Sequence, residues 1–295
     1  MNGTKKIIVV AGPTASGKSD FAIDLAKKLN GEIISTDSRQ IYQGLDIGTG
    51  KITHDEMQGI PHHMIDIIDI DQSFSVADYQ RVALPILEDI IARGKAPIIC
   101  GGTGQYIDAL IYINTFPQIP PNESLRKEFE LISTEELYQQ LEEQDKDRAI
   151  TIDKHNRVRL IRALEIIASV GKVPAQAEPT LRYPTTVYLL APSKELLLKR
   201  IEKRLEKRLQ EGMLEEGKEL LVHHFSDTKI ASLGLEYSWM NKYHTNDCSY
   251  EVMKKNIITK SWQYAKRQMT WNKKYLPLAT IISPSNTTKI KSNQQ

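Results

Sequence analysis

Short, continuous apolar runs alternate with longer segments of helical apolar spacing through the first hundred residues. The apolar runs predict buried strands at residues 7–11, 32–35 and 97–100. Helical spacing predicts a helix over about 18–29, with Gly31 as its C-cap, and another over 76–93 that Gly94 ends. Strands that alternate with helices in this way indicate an α/β fold with a parallel sheet.

The pattern changes between residues 115 and 184, where prolines bracket a largely helical stretch. Helical apolar spacing recurs there at residues 124–129, 134–143 and 156–170. We therefore expect residues 115–184 to form an inserted all-helical subdomain, with residues 1–114 and 185–295 as the core.

The last helix of this insertion has two distinct faces. Leu160, Leu164 and Ile167 are expected to face a core. A separate basic face carries His155, Arg159 and Arg162. Such a face is either a solvated surface or a surface that contacts nucleic-acid phosphates.

The C-terminal part combines one strand with two charged helices. A strand is predicted at 186–190, and a long helix over 193–222 alternates acids with bases, which is typical of a solvent-exposed surface. The segment 252–275 is also helical but has no acidic residue, and its lysines and arginines alternate with aromatic side chains. That composition suits unpaired bases and backbone phosphates, or else aromatic residues in a core beside solvated lysines. The polar tail after Ser283 is expected to be disordered.

Composition narrows the class of protein. The chain has 295 residues, 26% of them charged, and a net charge of +2, so affinity for nucleic acid must come from local patches. Its two cysteines cannot build a disulfide framework or a zinc site, which suits a reducing compartment. The N-terminal apolar run is too short for a signal peptide or a membrane span. We expect a cytoplasmic monomer that does not associate with membranes.

A glycine-containing loop follows the first predicted strand and precedes the first predicted helix. It consists of Gly12, Pro13, Thr14, Ala15, Ser16, Gly17, Lys18 and Ser19. This is the spacing of a P-loop, in which backbone N–H groups, the helix N-terminus and the lysine hold phosphate oxygens. Ser19 would be a ligand of Mg²⁺. The sequence therefore predicts a P-loop NTPase-like parallel sheet that binds a polyphosphate.

Two further segments lie just after predicted strands, at the edge of a parallel sheet where ligands bind. Asp37 follows the second strand and is a candidate acid or base, although a turn aspartate is the plainer interpretation of it alone. Thr103, in a glycine turn at residues 101–104, is a candidate phosphate ligand. The paired His62 and His63 favour a structural or substrate-lining role over metal binding, because no third ligand is evident.

Six segments, taken together, resemble tRNA dimethylallyltransferases over about residues 7–272. They are the glycine loop 12–19, the hexapeptide 37–42, Pro61-His62-His63, the glycine turn 101–104, Arg162-Ala163-Leu164-Glu165 and residues 265–271. The resemblance implies that the loop holds the diphosphate of dimethylallyl diphosphate rather than ATP. The implied acceptor is N6 of the adenosine 3′ of the anticodon.

The resemblance also implies residue roles. Asp37 would be the base, while Thr103, Mg²⁺ and an arginine would stabilise the leaving diphosphate. Counting back from residues 212–216 places that arginine at Arg204. The tRNA anticodon stem-loop would be contacted by the insertion and the last helix. The implied contacts are Asp37, Ser38, Arg39, Gln40, Thr103, Arg126, Arg159, Arg162, Lys266 and Arg267.

Several positions depart from the family pattern. They are Gly50 for alanine, Gln105 for leucine, Arg208 for methionine, Leu235 for tyrosine, and Asn272-Lys273 for an aromatic-Arg pair. They bear more on tRNA affinity and choice than on the diphosphate site. Three alternatives stay open: a transferase that prenylates free adenine nucleotides, a small-molecule P-loop kinase, and an RNA-binding protein without activity.

Overall fold

The computed structural model describes residues 6–113, 119, 122–174 and 178–283. The tail after residue 283 lies outside the described residues. The chain divides into two compact units, Met1–Ile113 with Leu181–Gln295, and Asn114–Thr180. The predicted insertion, 115–184, runs a few residues past the second unit.

Six parallel strands form the central sheet of the first unit, in the order β3-β2-β4-β1-β7-β8. The strands of the chain are β1 Ile7–Ala11, β2 Gly31–Thr36, β3 His62–His63, β4 Ala96–Gly101, β5 Tyr112–Ile113, β6 Thr180–Leu181, β7 Thr185–Leu190 and β8 Ala279–Ile282. In the centre of the sheet, Val9 pairs with Ile99 on one side and Val187 on the other. These strands read as continuous apolar runs because a central parallel strand is buried on both faces. The predicted parallel α/β fold is confirmed.

Thirteen α-helices are assigned within the described ranges. They are α1 Lys18–Leu29, α2 His54–Met57, α3 Val76–Ala92, α4 Gly104–Ile111, α5 Glu123–Glu130, α6 Thr134–Gln144, α7 Lys146–Thr151, α8 Arg157–Val170, α9 Lys194–Gln210, α10 Met213–Glu219, α11 Asp227–Leu233, α12 Leu235–His244 and α13 Tyr250–Asn272. No helix in the described part of the chain is long and apolar enough to cross a membrane.

The end of α1 differs from the prediction. Its C-cap is Asn30, in the left-handed region at φ 49°, and Gly31 already belongs to β2. Asparagine tolerates this conformation better than most residues. Glycine is needed at position 31 for a different reason, because a Cβ there would lie only 2.7 Å from the carbonyl O of Ala96 on the neighbouring strand.

The prediction of a single long helix over 193–222 is wrong. Gly212, with φ 98°, separates α9 from α10, and a 3-10 helix follows at Leu220–His223. The positive φ of Gly212 ends the helical path, and α10 turns back to pack beside α12 through Met240. Likewise the predicted helix 252–275 ends as α13 at Asn272 and continues as a 3-10 helix, Lys273–Leu278.

The second unit is helical and has its own apolar core. Leu160, Leu164 and Ile167 of α8 are buried there, which confirms the predicted core face. Helix α7 was missed, because a six-residue segment carries too little periodicity to be recognised. His155 lies before α8, which is capped by the side chain of Asn156, so it does not share the helical face with Arg159.

Candidate active site

The carboxyl ends of β1, β2 and β4 bring three predicted segments to one edge of the sheet. The glycine loop, residues 12–19, follows β1, Asp37 follows β2, and the glycine turn, residues 101–104, follows β4. All three border a cleft of about 670 Å³, which Arg204 and Tyr264 also line. We call this the cleft. Parallel register explains the convergence, since neighbouring strands end at the same edge.

The glycine loop begins α1 and presents its polar groups to the cleft. Gly17 adopts φ 89°, a conformation that other residues rarely take, and α1 starts at Lys18. The ammonium of Lys18 donates to the carbonyl O of Pro13 at 3.2 Å, and burial lowers its pKa. The Ser16 hydroxyl is buried without a hydrogen-bond partner among the described residues. The loop thus holds donors that an anion would satisfy.

Ser38 connects the loop that carries Asp37 to the glycine turn that carries Thr103. Oδ1 of Asp37 accepts the backbone N–H of Arg39 at 2.9 Å. The N–H of Ser38 donates to Oγ1 of Thr103 at 3.1 Å, and the Thr103 hydroxyl donates to the hydroxyl of Ser38 at 3.3 Å. The carboxylate and the threonine hydroxyl therefore lie on two loops that hold each other in place.

Three arginines at four-residue spacing on α9 face the glycine loop and the cleft. Arg200 donates to the carbonyl O of Ser16 at 2.9 Å. Arg204 donates to Oγ1 of Thr14 at 3.4 Å and to the carbonyl O of Gly50 at 3.0 Å. Arg208 is 9% exposed. The expectation of a solvated surface is wrong for Arg200 and Arg208, because this face of the helix packs on the cleft, where the resemblance already placed Arg204.

The segment after Ile41 forms a wall of the cleft beside the arginines of α9 and is firmly anchored. The carboxylate of Glu216 accepts the backbone N–H groups of Asp46, Ile47 and Gly48, each at 2.8 Å. Buried Lys51 pairs with Asp46 and Asp66. Gln40 donates to the carbonyl O of Gly50 at 3.2 Å. Carboxylate contacts with consecutive N–H groups hold this wall in a single arrangement.

Gln268 was missed as a site residue. It is 6% exposed on α13, its Oε1 accepts the N–H of Thr14 at 2.7 Å, and its Nε2 donates to the carbonyl O of Gly102 at 3.1 Å. One amide thereby ties the glycine loop to the glycine turn. One feature of the sequence could have indicated its burial: Gln268 falls on the same helix face as Ala265 and Ser261, which are also buried.

The two histidines have separate surroundings. His62 lines the cleft, and burial lowers its pKa. His63 contacts Oε2 of buried Glu32 at 2.8 Å, beside Arg93 and Lys95, which bind the same carboxylate. His63 is therefore part of an ion-pair cluster behind the site.

The floor of the cleft holds a buried thiol. Burial raises the pKa of Cys100 to about 12, so the group is a neutral, unreactive side chain at physiological pH. Its neighbours on the lining include four isoleucines, namely Ile33, Ile47, Ile52 and Ile65. The cleft thus combines a polar loop with an apolar surface.

The residues predicted to contact tRNA fall on both units. Ser38 and Arg39 lie at the rim of the cleft, and Arg39 also donates to the carbonyl O of Ser232. Lys266 and Arg267 are exposed on α13, where they line a shallow groove with Trp271.

On the second unit the predicted contacts are of two kinds. Arg159 is exposed on α8. Arg126 instead binds the buried carboxylate of Glu165 through Nε at 2.7 Å and Nη2 at 3.1 Å, and Arg162 approaches it at 3.3 Å. Arg126 and Arg162 therefore stabilise a buried charge, whatever else they contact.

The donor set fits Mg²⁺ better than a softer metal. The described residues contain no cluster of three or more histidine, cysteine or carboxylate groups that could hold an ion. The cleft nevertheless presents the Ser19 hydroxyl together with Asp20 and Asp37. Mg²⁺ commonly takes one or two protein oxygens and completes its shell with phosphate oxygens and water, so these residues fit it.

A parallel sheet with a glycine loop between β1 and α1 and a cationic cleft at its edge defines an α/β protein with a P-loop-like fold. The IPP transferase family model matches residues 40–275, and the chain belongs to this family. The match covers α9, α13 and the segment from Gln40 to Lys51, while the glycine loop and Asp37 precede it.

Individual relatives agree. The tRNA dimethylallyltransferase of Anoxybacillus flavithermus is 41% identical over 281 residues, which cover 93% of this chain and 89% of the relative. That of Bacillus subtilis is 40% identical over 283 residues, covering 92% and 89%.

Solved structures are similar over nearly the whole chain. A eukaryotic dimethylallyltransferase acting on tRNA aligns with a TM-score of 0.86 at 28% identity, covering 99% of this chain and 77% of that one. The full-length tRNA isopentenylpyrophosphate transferase of Bacillus halodurans aligns with a TM-score of 0.71 at 36% identity, covering 95% and 90%.

Proposed function

We propose that this protein transfers a dimethylallyl group from dimethylallyl diphosphate to N6 of the adenosine 3′-adjacent to the anticodon of tRNA. One observation carries the proposal: a phosphate-type glycine loop, the cationic side chains of Lys18 and Arg204, and the carboxylate of Asp37 line a single cleft that also has an apolar surface. Membership of the IPP transferase family and relatives at about 40% identity support it.

The chemistry follows from these groups. The N6 amine attacks the allylic carbon, so a C–N bond forms as the C–O bond to diphosphate breaks, and the electron pair leaves with the diphosphate. The amine is a weak nucleophile because its lone pair is delocalised into the ring. A carboxylate that accepts its proton contributes about 10²–10⁴-fold. Asp37 is the group placed for this role.

Charge develops on the leaving diphosphate, and the cleft is built to stabilise it. Lys18 and Arg204 donate to uncharged oxygens of the protein, so their charge is available to an anion. The Thr103 hydroxyl and the orphan hydroxyl of Ser16 add neutral donors. Mg²⁺, held by Ser19 and the diphosphate oxygens, would supply further neutralisation when bound.

The apolar lining suits the five-carbon chain, and the adenine ring must leave its stack to reach Asp37. Tyr264 offers an aromatic surface on the lining of the cleft that it shares with that carboxylate. Exposed Lys266 and Arg267 on α13 and Arg159 on α8 supply the charge for the anticodon stem-loop. A tRNA substrate agrees with the cytoplasmic location that we propose.

The decisive experiment incubates the purified protein with dimethylallyl diphosphate, Mg²⁺ and unmodified tRNA, followed by nucleoside mass spectrometry. The expected product is N6-isopentenyladenosine, formed only when tRNA and the diphosphate ester are both present. A parallel reaction with AMP as acceptor tests the free-nucleotide alternative, which prenylated AMP without prenylated tRNA would favour. Steady ATP hydrolysis with no prenylated product would favour a kinase.

A further inference from the structure

Gly50 and Arg208 occupy complementary space on the wall of the cleft. Gly50 has φ 61°, and its carbonyl O accepts a hydrogen bond from Arg204 at 3.0 Å. A Cβ added to Gly50 would overlap Nη2 of Arg208 and Nη2 of Arg204. Two guanidinium groups therefore fill the space that any side chain at residue 50 would need.

Arg208 is buried and only partly neutralised. Its Nη1 donates to the carbonyl O of Gly48 at 3.2 Å and lies 3.6 Å from Oε1 of Glu236. Burial, and next the adjacent Arg204, lower its pKa to about 10. The group is still protonated at neutral pH, which is three units below that value.

Two like charges side by side in a buried wall are unfavourable unless an anion compensates them. Glu236 is the carboxylate in ion-pair contact with Arg208, and Asp37 and Glu56 act on Arg204 only from farther away. Arg204 itself donates to Thr14 and Gly50, which are uncharged. Among the described residues, the two guanidinium groups thus share one close carboxylate, next to the glycine loop and Lys18. A bound polyanion would supply the missing compensation.

We infer that Arg208 is a further determinant of diphosphate affinity in the cleft, and that the lack of a side chain at Gly50 is what lets Arg204 and Arg208 lie together there. The inference builds on the proposed function for the identity of the substrate ester. Its ligand chemistry is the diphosphate group itself, so inorganic pyrophosphate serves as the probe.

The test is a double-mutant cycle on the full chain, with pyrophosphate affinity measured by isothermal titration calorimetry in Mg²⁺. Arg208→Met should weaken binding by about tenfold or more, as expected for a charge-assisted contact. Gly50→Ala should weaken it comparably, because the new methyl group displaces both guanidinium groups. In the Arg208→Met background, Gly50→Ala should cost little further affinity, since Arg204 can move into the vacated space.

Lys203→Met is the matched control, because Lys203 is exposed on the same helix and its loss removes the same charge. This variant should change the affinity less than twofold. Thermal unfolding of every variant verifies folding. If Arg208→Met does not fold, Arg208→Lys replaces it. The lysine ammonium keeps the charge but lacks the planar set of donors of a guanidinium, so an intermediate affinity is expected.

Wild-type affinity in Arg208→Met would overturn the inference. An equal loss of pyrophosphate affinity on Gly50→Ala in both backgrounds would also overturn it. That result would mean that glycine is needed at residue 50 only for its backbone conformation. Failure of this inference can be distinguished from failure of the proposed function, because pyrophosphate binding is measured without turnover. A cycle that behaves as described in a protein that does not prenylate tRNA supports this inference and rejects the proposed reaction.

Discussion

The side-chain Oε1 of Gln268 accepts the backbone N–H of Thr14 at 2.7 Å, although 254 residues separate the two in the chain. This bond uses an N–H group of the glycine loop that would otherwise face a phosphate. In the proposed function, the diphosphate would therefore be held by the donors nearer α1 and by Lys18. The same amide donates to Gly102, so Gln268 sets the distance between the loop and the turn that carries Thr103.

Gln268→Met should lower the single-turnover rate of prenyl transfer by about 100-fold, because a displacement of about 1 Å between reacting groups costs that much. Tight binding of tRNA should persist, since Gln268 is buried beneath the exposed face of α13. Rapid quench at saturating substrates gives the rate, and filter binding gives the tRNA affinity. Gln263→Met, on the exposed face of the same helix, is the control. A Gln268→Met rate within threefold of wild type contradicts the positioning role.

Asp37→Asn should reduce turnover by about 10²–10⁴-fold, the usual contribution of a general base. The amide oxygen can still accept the Arg39 N–H, so the loop should keep its conformation. Pyrophosphate affinity should stay equal or increase, because a negative charge leaves the cleft. Single-turnover rates and calorimetric titration separate the two effects. Activity close to wild type would remove Asp37 from the chemistry.

Arg159→Ala and Lys266→Ala should each weaken tRNA binding and flatten its dependence on salt. One phosphate contact on a single-stranded loop contributes about 0.7 to the slope of log affinity against log salt concentration. The Michaelis constant for dimethylallyl diphosphate should stay nearly constant. Lys203→Ala removes a comparable exposed charge from α9 and should leave the slope unchanged. Unchanged slopes in both test variants would mean that these side chains are only solvated surface.

Glu32→Gln should destabilise the fold by about 1–3 kcal/mol at neutral pH, because it removes charged hydrogen bonds from a buried carboxylate. Hydrogen bonds from Arg93, and then from Lys95 and His63, hold the pKa of Glu32 well below its usual 4.5. A depressed folded-state pKa adds stability above about pH 4.5, which is lost as the pH falls further. Urea unfolding should therefore show a gap between wild type and variant that narrows below pH 4.5. A gap of constant size would mean that the cluster adds no charge-dependent stability.

Local pattern was sufficient for the four inner strands of the sheet, but not for the edge strands β3 and β8, and for the part of the cleft at the strand ends. Continuous apolar runs identified β1, β2, β4 and β7, because central parallel strands are buried on both faces. The glycine loop, Asp37 and Thr103 could be placed together from sequence, since each follows a strand of one parallel sheet. These features depend on residues close together in the chain, or on the shared edge that parallel pairing imposes.

The other wall of the cleft could not be placed in this way. Alternating charge on α9 is the same whether the helix is solvated or packed. Tertiary packing is what joins Arg200 to the carbonyl O of Ser16 and buries Arg208. Gln268 resembles any polar helix residue until α13 lies across Thr14 and Gly102. Burial of these charged and polar side chains depends on contacts between segments more than 150 residues apart. The periodicity within one helix does not show which of its faces will contact a distant segment.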